Sequence, residues 1–180
     1  MYYASIRNMD IANGEGIRVS LFVSGCQFHC PDCFNQEAQS YTYGKEYTKE
    51  TKEKILKLVE RPWCAGLSIL GGDPLWQDTK GLWELFDLCD EVATRGKNTW
   101  IWSGFTWEEL FETPNSLDKD ESYLSISRRS LILQTDVFVD GRFEKDKKDL
   151  SLKWRGSSNQ RVINIKATKE NDLKPVLYCD

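Results

Sequence analysis

GEGIRVSLFVSGCQFHCPDCFN, residues 14–35, reads as a strand running straight into a cysteine-rich loop. From Ile17 to Ser24 the side chains alternate: Ile17, Val19, Leu21 and Val23 point one way, Arg18, Ser20, Phe22 and Ser24 the other. Period-two alternation is the mark of a strand. Cys26, Cys30 and Cys33 follow where it ends.

Downstream, helices and strands take turns. Thr48 is placed to cap a helix running to about Glu60, with Ile55, Leu58 and Val59 on one face. Leu67 to Leu70 is a short apolar run stopped by Gly71-Gly72, a second strand. Asp78 is placed to cap a helix from about Lys80 to Arg95, whose apolar face is Leu82, Leu85, Phe86, Cys89 and Val92, with Gly96 as its stop. Thr99 to Ser103 is a third strand, Thr106 to Phe111 a short helix, and Asp136 to Asp140 a fourth strand stopped by Gly141.

Strands alternating with helices predict parallel βαβ units. A chain of 180 residues is short of the roughly 250 of a complete eight-fold barrel. The expectation is therefore an α/β fold, either a partial, open parallel barrel or an open parallel sheet. In both, function gathers at the C-terminal ends of the strands. The cysteine loop, Gly71-Gly72-Asp73 and Ser103-Gly104 all fall at such ends.

The whole chain, 1–180, is expected to be one domain, with a polar surface excursion at about 112–127 and a peripheral tail from about 166. Asp118, Asp120 and Ser122 resemble the start of a calcium loop, but Tyr123 stands where glycine is needed and Arg129 where glutamate is needed. The net charge of −4 is unlike the basic face of a nucleic-acid binder. No apolar stretch is long enough to span a membrane, and MYYASIRNMD lacks the pattern of a signal peptide, so the expected location is cytoplasmic.

In a reducing compartment a tight cysteine group binds metal or does catalysis. Three readings fit the group here. A structural zinc site would use Cys26, His29, Cys30 and Cys33, although zinc sites usually draw on two separated pairs. A thiol redox pair would use Cys30 and Cys33, leaving Cys26 unexplained and Asp32 opposing thiolate formation. A four-iron cluster would use three thiolates and leave one iron open to an exogenous ligand. Cys64, Cys89 and Cys179 have no spacing partner.

The Cys-x3-Cys-x2-Cys spacing after a first strand resembles that of radical S-adenosylmethionine enzymes. Gly14, Gly16, Arg18, Phe22, Gly25, the three cysteines and Asn35 are similar to the signature of glycyl-radical-enzyme activating proteins. DIANGEGIRVSLFVSGC, LGGDPL at 70–75, WSGFTWEEL at 102–110, DVFVDGRF and WRGSSNQRV resemble the branch that activates anaerobic ribonucleoside-triphosphate reductase. The resemblance runs from about Tyr2 to Ile163 and implies an incomplete barrel.

It also implies a chemistry and a set of site residues. Cys26, Cys30 and Cys33 would hold a [4Fe-4S] cluster whose open iron chelates S-adenosylmethionine. One electron would break a carbon–sulfur bond, and the 5′-deoxyadenosyl radical would take a hydrogen from a glycine of the reductase. Gly71, Gly72 and Asp73 would stand in for the superfamily's GGE-type motif beside the methionine moiety, Asp32, Cys33 and Phe34 would lie against the adenine, and Ser103 would reach the ribose or carboxylate. Reduced flavodoxin, or a similar low-potential donor, is the implied electron source. The rival implied partner is another glycyl-radical enzyme of the formate lyase type. A zinc-stabilised binding module is the rival from outside catalysis.

Overall fold

The computed structural model describes residues 1–113 and 118–179. Strand β1 (Tyr2–Asp10) leads to β2 (Ile17–Val23), which is buried on both faces and lies between two neighbours in the sheet. Val19, Leu21 and Val23 join the main core, and Arg18, Ser20 and Phe22 are buried on the opposite face.

After the cysteine loop and a two-residue strand β3 (Lys45–Glu46) comes helix α1 (Lys49–Val59), capped by Thr48. Strand β4 (Cys64–Gly71) precedes helix α2 (Thr79–Thr94), where the Asp78 carboxylate accepts from Gly81 N–H at 2.7 Å. Strand β5 (Asn98–Trp102) and helix α3 (Trp107–Phe111), closed by a Thr106–Glu109 capping box, come next. Helix α4 (Lys119–Gln134), strand β6 (Val137–Asp140), strand β7 (Arg161–Asn164) and helix α5 (Ile165–Glu170) complete the chain.

The seven strands form one sheet in the order β3-β1-β2-β4-β5-β6-β7. Its four central strands are parallel, as expected from the alternation of elements. Its edges are not: β1 pairs antiparallel with β2 and β3, and β7 antiparallel with β6. The sheet is therefore mixed, not wholly parallel. The physical reason is connection length. The link from β1 to β2, residues 11–16, is too short for the crossover a parallel neighbour needs, and the longer link from β6 to β7, residues 141–160, returns without a crossover α-helix.

Leu82, Leu85, Leu88, Ile55 and Val59 from the helices pack with Val19, Leu21, Leu67, Ile69, Ile101 and Phe138 from the strands. On the other sheet face a smaller cluster joins Trp100, Val137, Val139 and Val162, flanked by Trp102 and Trp154. There Arg18 lies fully buried near the N-terminal end of β2. It donates to Ser68 Oγ and Asn98 Oδ1 at 2.7 Å and to Leu67 O at 2.8 Å, with its guanidinium over the Trp100 ring. It braces three strands at the end of the sheet away from the cysteines.

Two segments differ from expectation. The stretch at 112–127 is helical from Lys119 onward, and residues 114–117 lie outside the described residues. Its first turns are exposed; only farther along do Ser127, Leu131 and Ile132 reach the core beside α2. The tail after 166 is helical at first and then returns along β7, with Tyr178 N–H donating to Val162 O at 2.7 Å and Asn164 N–H to Val176 O at 2.8 Å. That return supplies partners to an edge strand otherwise open to solvent. No helix among the described residues is long and apolar enough to cross a membrane.

Candidate functional site

The exit of β2 is stitched to the exit of β4. Gly72 N–H donates to Val23 O at 2.7 Å and Asp73 N–H to Gly25 O at 2.8 Å. The cysteine loop then closes on itself, with Gly25 N–H donating to Ala38 O at 2.7 Å and Cys26 N–H to Gln39 O at 3.1 Å. Gly25 has φ +104, and a Cβ there would come within 2.4 Å of the Tyr41 ring. His29 and Asp32 both adopt left-handed backbone, a strained choice for residues other than glycine.

Gly72 is held by close approach. A Cβ at this position would meet Ala38 O at 2.5 Å and Gly25 O at 2.6 Å, both backbone atoms that cannot swing aside. Gly72→Ala is expected to cost roughly 1–3 kcal/mol, on the scale of overpacking, and to loosen the cysteine loop. Chemical denaturation measures the first effect and iron uptake during reconstitution the second.

Asp73 is 2% exposed and turned inward. Its carboxyl accepts from Leu75 N–H at 2.8 Å, Gly104 N–H at 2.7 Å and Ser103 Oγ at 2.9 Å. Ser103 Oγ also accepts from Phe105 N–H at 3.1 Å. Asp73 and Ser103 thus tie the exits of β4 and β5 together beneath the cysteine loop. Burial, opposed by these hydrogen bonds, pushes the Asp73 carboxyl up to about 6. The native state therefore holds this proton more tightly than the unfolded chain does. The stability that results is present below about pH 4 and lost as pH rises to about 6. Asp73→Asn lacks this titration, so its stability relative to wild type is expected to rise by on the order of 2 kcal/mol between pH 4 and pH 7. Urea unfolding at several pH values measures the difference, and a pH-independent difference would contradict the assignment.

An aromatic cluster sits over this tie. Phe28 of the cysteine loop packs edge-on against Trp76 and Phe105, with centroids 5.5 and 4.9 Å away. Arg128 of α4 lies over both Trp76 and Phe105 and donates from Nε to Leu75 O at 2.8 Å. Arg142 lies over Phe28 at 4.4 Å. None of Phe28, Trp76, Phe105, Arg128 or Arg142 stands out in the sequence as a site residue. The aromatics directly follow site motifs, which was the available signal; Arg128 had none, because its helix was not foreseen.

Two cavities flank the cysteine loop. One, of about 380 Å³, is lined by Cys33, Phe34 and Gly71 together with Arg7 and Phe22. It brings three of the expected cofactor-binding residues to one space. Asp32 points elsewhere, to Lys145 Nζ at 2.7 Å on the surface. The other cavity, of about 400 Å³, borders Cys30, Phe28, Phe143 and Asn159.

The three cysteines are partly exposed and unpaired. A family model described as a 4Fe-4S single cluster domain matches residues 12–163. A protein of Vibrio cholerae named anaerobic ribonucleoside-triphosphate reductase-activating protein is 36% identical over 166 residues, 90% of this chain and 97% of that protein. Proteins of the same name from Escherichia coli K12 and phage T4 are 33% and 31% identical, covering 92% and 90% of this chain and 100% and 93% of their own lengths. The chain belongs to the anaerobic ribonucleoside-triphosphate reductase-activating protein family.

The donor set fits the iron–sulfur cluster of this family. Thiolates are the usual ligands of such clusters, and Cys26, Cys30 and Cys33 share one loop. Among the described residues no three His, Cys, Asp or Glu side chains converge on a point suited to a single metal ion. His29 Nδ1 is 3.0 Å from Gln39 Oε1. Burial raises the Cys26 thiol to about 11 and also raises the Cys30 thiol, with the neighbouring Cys33 adding to the latter. Loading these ligands releases protons and is therefore favoured by rising pH.

Proposed function

We propose that this chain reductively cleaves S-adenosylmethionine at a [4Fe-4S] cluster and generates a glycyl radical on anaerobic ribonucleoside-triphosphate reductase. The observation that carries the reading is the cysteine loop, stitched by backbone hydrogen bonds to Gly71-Gly72-Asp73 at the C-terminal edge of the parallel strands. When bound, the reduced cluster supplies the electron that breaks the sulfonium carbon–sulfur bond, releasing methionine and a 5′-deoxyadenosyl radical.

Cys26, Cys30 and Cys33 would hold the cluster through their three thiolates, leaving one iron free for substrate. Cys33, Phe34 and Gly71 line the cavity assigned to the cofactor. Gly72 keeps the turn close enough for its backbone to face the methionine moiety. Asp73 and Ser103 act by positioning, since their polar atoms are spent on each other and on nearby N–H groups. The reading takes residues 1–180 as one radical S-adenosylmethionine domain, with the seven-stranded sheet as its incomplete barrel, working in the cytoplasm with reduced flavodoxin or a similar donor.

Anaerobic reconstitution with iron and sulfide tests this. Iron–sulfur absorbance, followed on reduction by equal release of methionine and 5′-deoxyadenosine, is the expected result. A chain that keeps one zinc and releases no 5′-deoxyadenosine would contradict it.

A further inference from the structure

The exit of β6 carries a cation to which the mechanism above gives no part. Arg142 directly follows Gly141, and it is held on several sides. Its carbonyl accepts from Asn159 Nδ2 at 2.8 Å. Its stem lies beside Gly104, where a Cβ would meet the Phe28 ring at 2.6 Å and Arg142 Cγ at 3.3 Å; the missing side chain leaves room for both. Its guanidinium lies over the Phe28 ring, 4.4 Å from the centroid, and donates from Nη2 to Glu109 Oε1 at 2.9 Å. Glu109 is fixed in turn by the α3 capping box, with Oε2 accepting from Thr106 N–H at 2.9 Å. Arg142 is thus aimed by its neighbours rather than left to solvent.

It is aimed at the cysteine loop. Arg142 and Cys30 border the same cavity, with Phe28 between them on its wall. Burial and the neighbouring Cys33 raise the Cys30 thiol; the Arg142 charge acts the other way, as does a hydrogen bond from Phe143 N–H. Lys145 also approaches the loop, but its charge is paired with Asp32 at 2.7 Å. Net charge and hydrogen bonds to the sulfurs are among the features that set the reduction potential of an iron–sulfur cluster. Gaining one electron makes such a cluster one unit more negative, so a fixed cation nearby favours the reduced form.

We infer that Arg142 is a positioning residue for electron uptake: it holds a positive charge beside Cys30 and raises the reduction potential of the cluster, while Glu109 aims that charge and partly offsets it. The inference rests on the function proposed above and deepens it, since it names the groups that bring the cluster within reach of a low-potential donor.

The test is a redox titration of the reconstituted chain, read by electron paramagnetic resonance of the reduced cluster, with neither S-adenosylmethionine nor reductase present. Arg142→Gln is expected to shift the potential negative, lowering the equilibrium constant for reduction about threefold; the shift is small because Arg142 is 43% exposed and solvent screens its charge. Arg142→Lys keeps the charge and is expected to stay near the wild-type potential. Glu109→Gln keeps an acceptor for the capping box and removes the offsetting charge, so its potential is expected to shift positive. A pair that served packing alone would move the potential the same way in both glutamine variants. Like-signed shifts, an unchanged potential in Arg142→Gln, or an equal loss in Arg142→Lys would overturn the inference. Should Arg142→Gln take up no iron, Glu109→Gln decides, and an unchanged or more negative potential there would overturn it. Opposite shifts in a chain that cleaves no S-adenosylmethionine would uphold the inference and remove the functional reading, and a wild-type chain that forms no reducible cluster would remove both.

Discussion

Cys30→Ala, reconstituted with iron and sulfide, is expected to lose its iron–sulfur absorbance and its 5′-deoxyadenosine production together. Cys26→Ala and Cys33→Ala should behave the same way. Even outer-shell partners of a metal site are worth 10–100-fold in affinity or activity, so removing a ligand should lower cleavage by more than about 100-fold. The matched controls lie in the same chain. Cys64 is buried at the start of β4, its thiol directed to Gly66 O, and Cys179 packs beside the tryptophan cluster. Cys64→Ala and Cys179→Ala should keep the cluster and the activity, with a modest loss of stability for the buried one. Full activity in Cys30→Ala would refute the ligand assignment.

Arg18→Leu is expected to be the most damaging single change to stability. The side chain donates to two carbonyls and two side-chain oxygens of β4 and β5, with the bonds to Ser68 and Leu67 buried and those to Asn98 partly buried. Leucine fills part of the space and satisfies none of them. Leaving buried acceptors unpaired costs about 1–3 kcal/mol each before relaxation, so the loss of two costs about 2–6 kcal/mol. For a chain of this length that is a fall in Tm of roughly 10 °C or more. Arg18→Lys should recover little, because one ammonium cannot reach donors' positions set by a planar fork. Thermal and urea unfolding of the chain measure the loss; a change below about 1 kcal/mol would mean that water takes over the arginine's role.

The four parallel strands were legible because the first alternates cleanly, the others are short apolar runs, and glycine follows closely after each. The antiparallel edges were not. In β1 the register shifts between Tyr3 and Ser5 and again between Arg7 and Asp10, which breaks the alternation that would reveal a strand. Helix α4 begins with polar, exposed turns and shows its apolar residues only near its end, so its pattern resembled a surface loop. With α4 unseen, the cation it lays over Trp76 and Phe105 could not be anticipated.

The site divides along the same line. Cysteine spacing is local and survives in any reading of the sequence. The bond between Asp73 and Ser103 joins residues thirty positions apart and exists only because β4 and β5 are neighbours. Glycine in the Gly71-Gly72 pair could be read as a turn or as a close approach. The carbonyls of Gly25 and Ala38 against Gly72 make it a close approach, one that keeps the cysteine loop and the glycine turn in contact.

The most direct test of the account is electron paramagnetic resonance on the anaerobic ribonucleoside-triphosphate reductase after incubation with the reconstituted chain, S-adenosylmethionine and a low-potential reductant. A glycyl radical signal on the reductase, dependent on S-adenosylmethionine and absent with Cys30→Ala, is the predicted result. A reconstituted, reduced chain that releases 5′-deoxyadenosine and leaves the reductase without a radical would contradict the assigned partner, and a radical that forms without S-adenosylmethionine would contradict the chemistry.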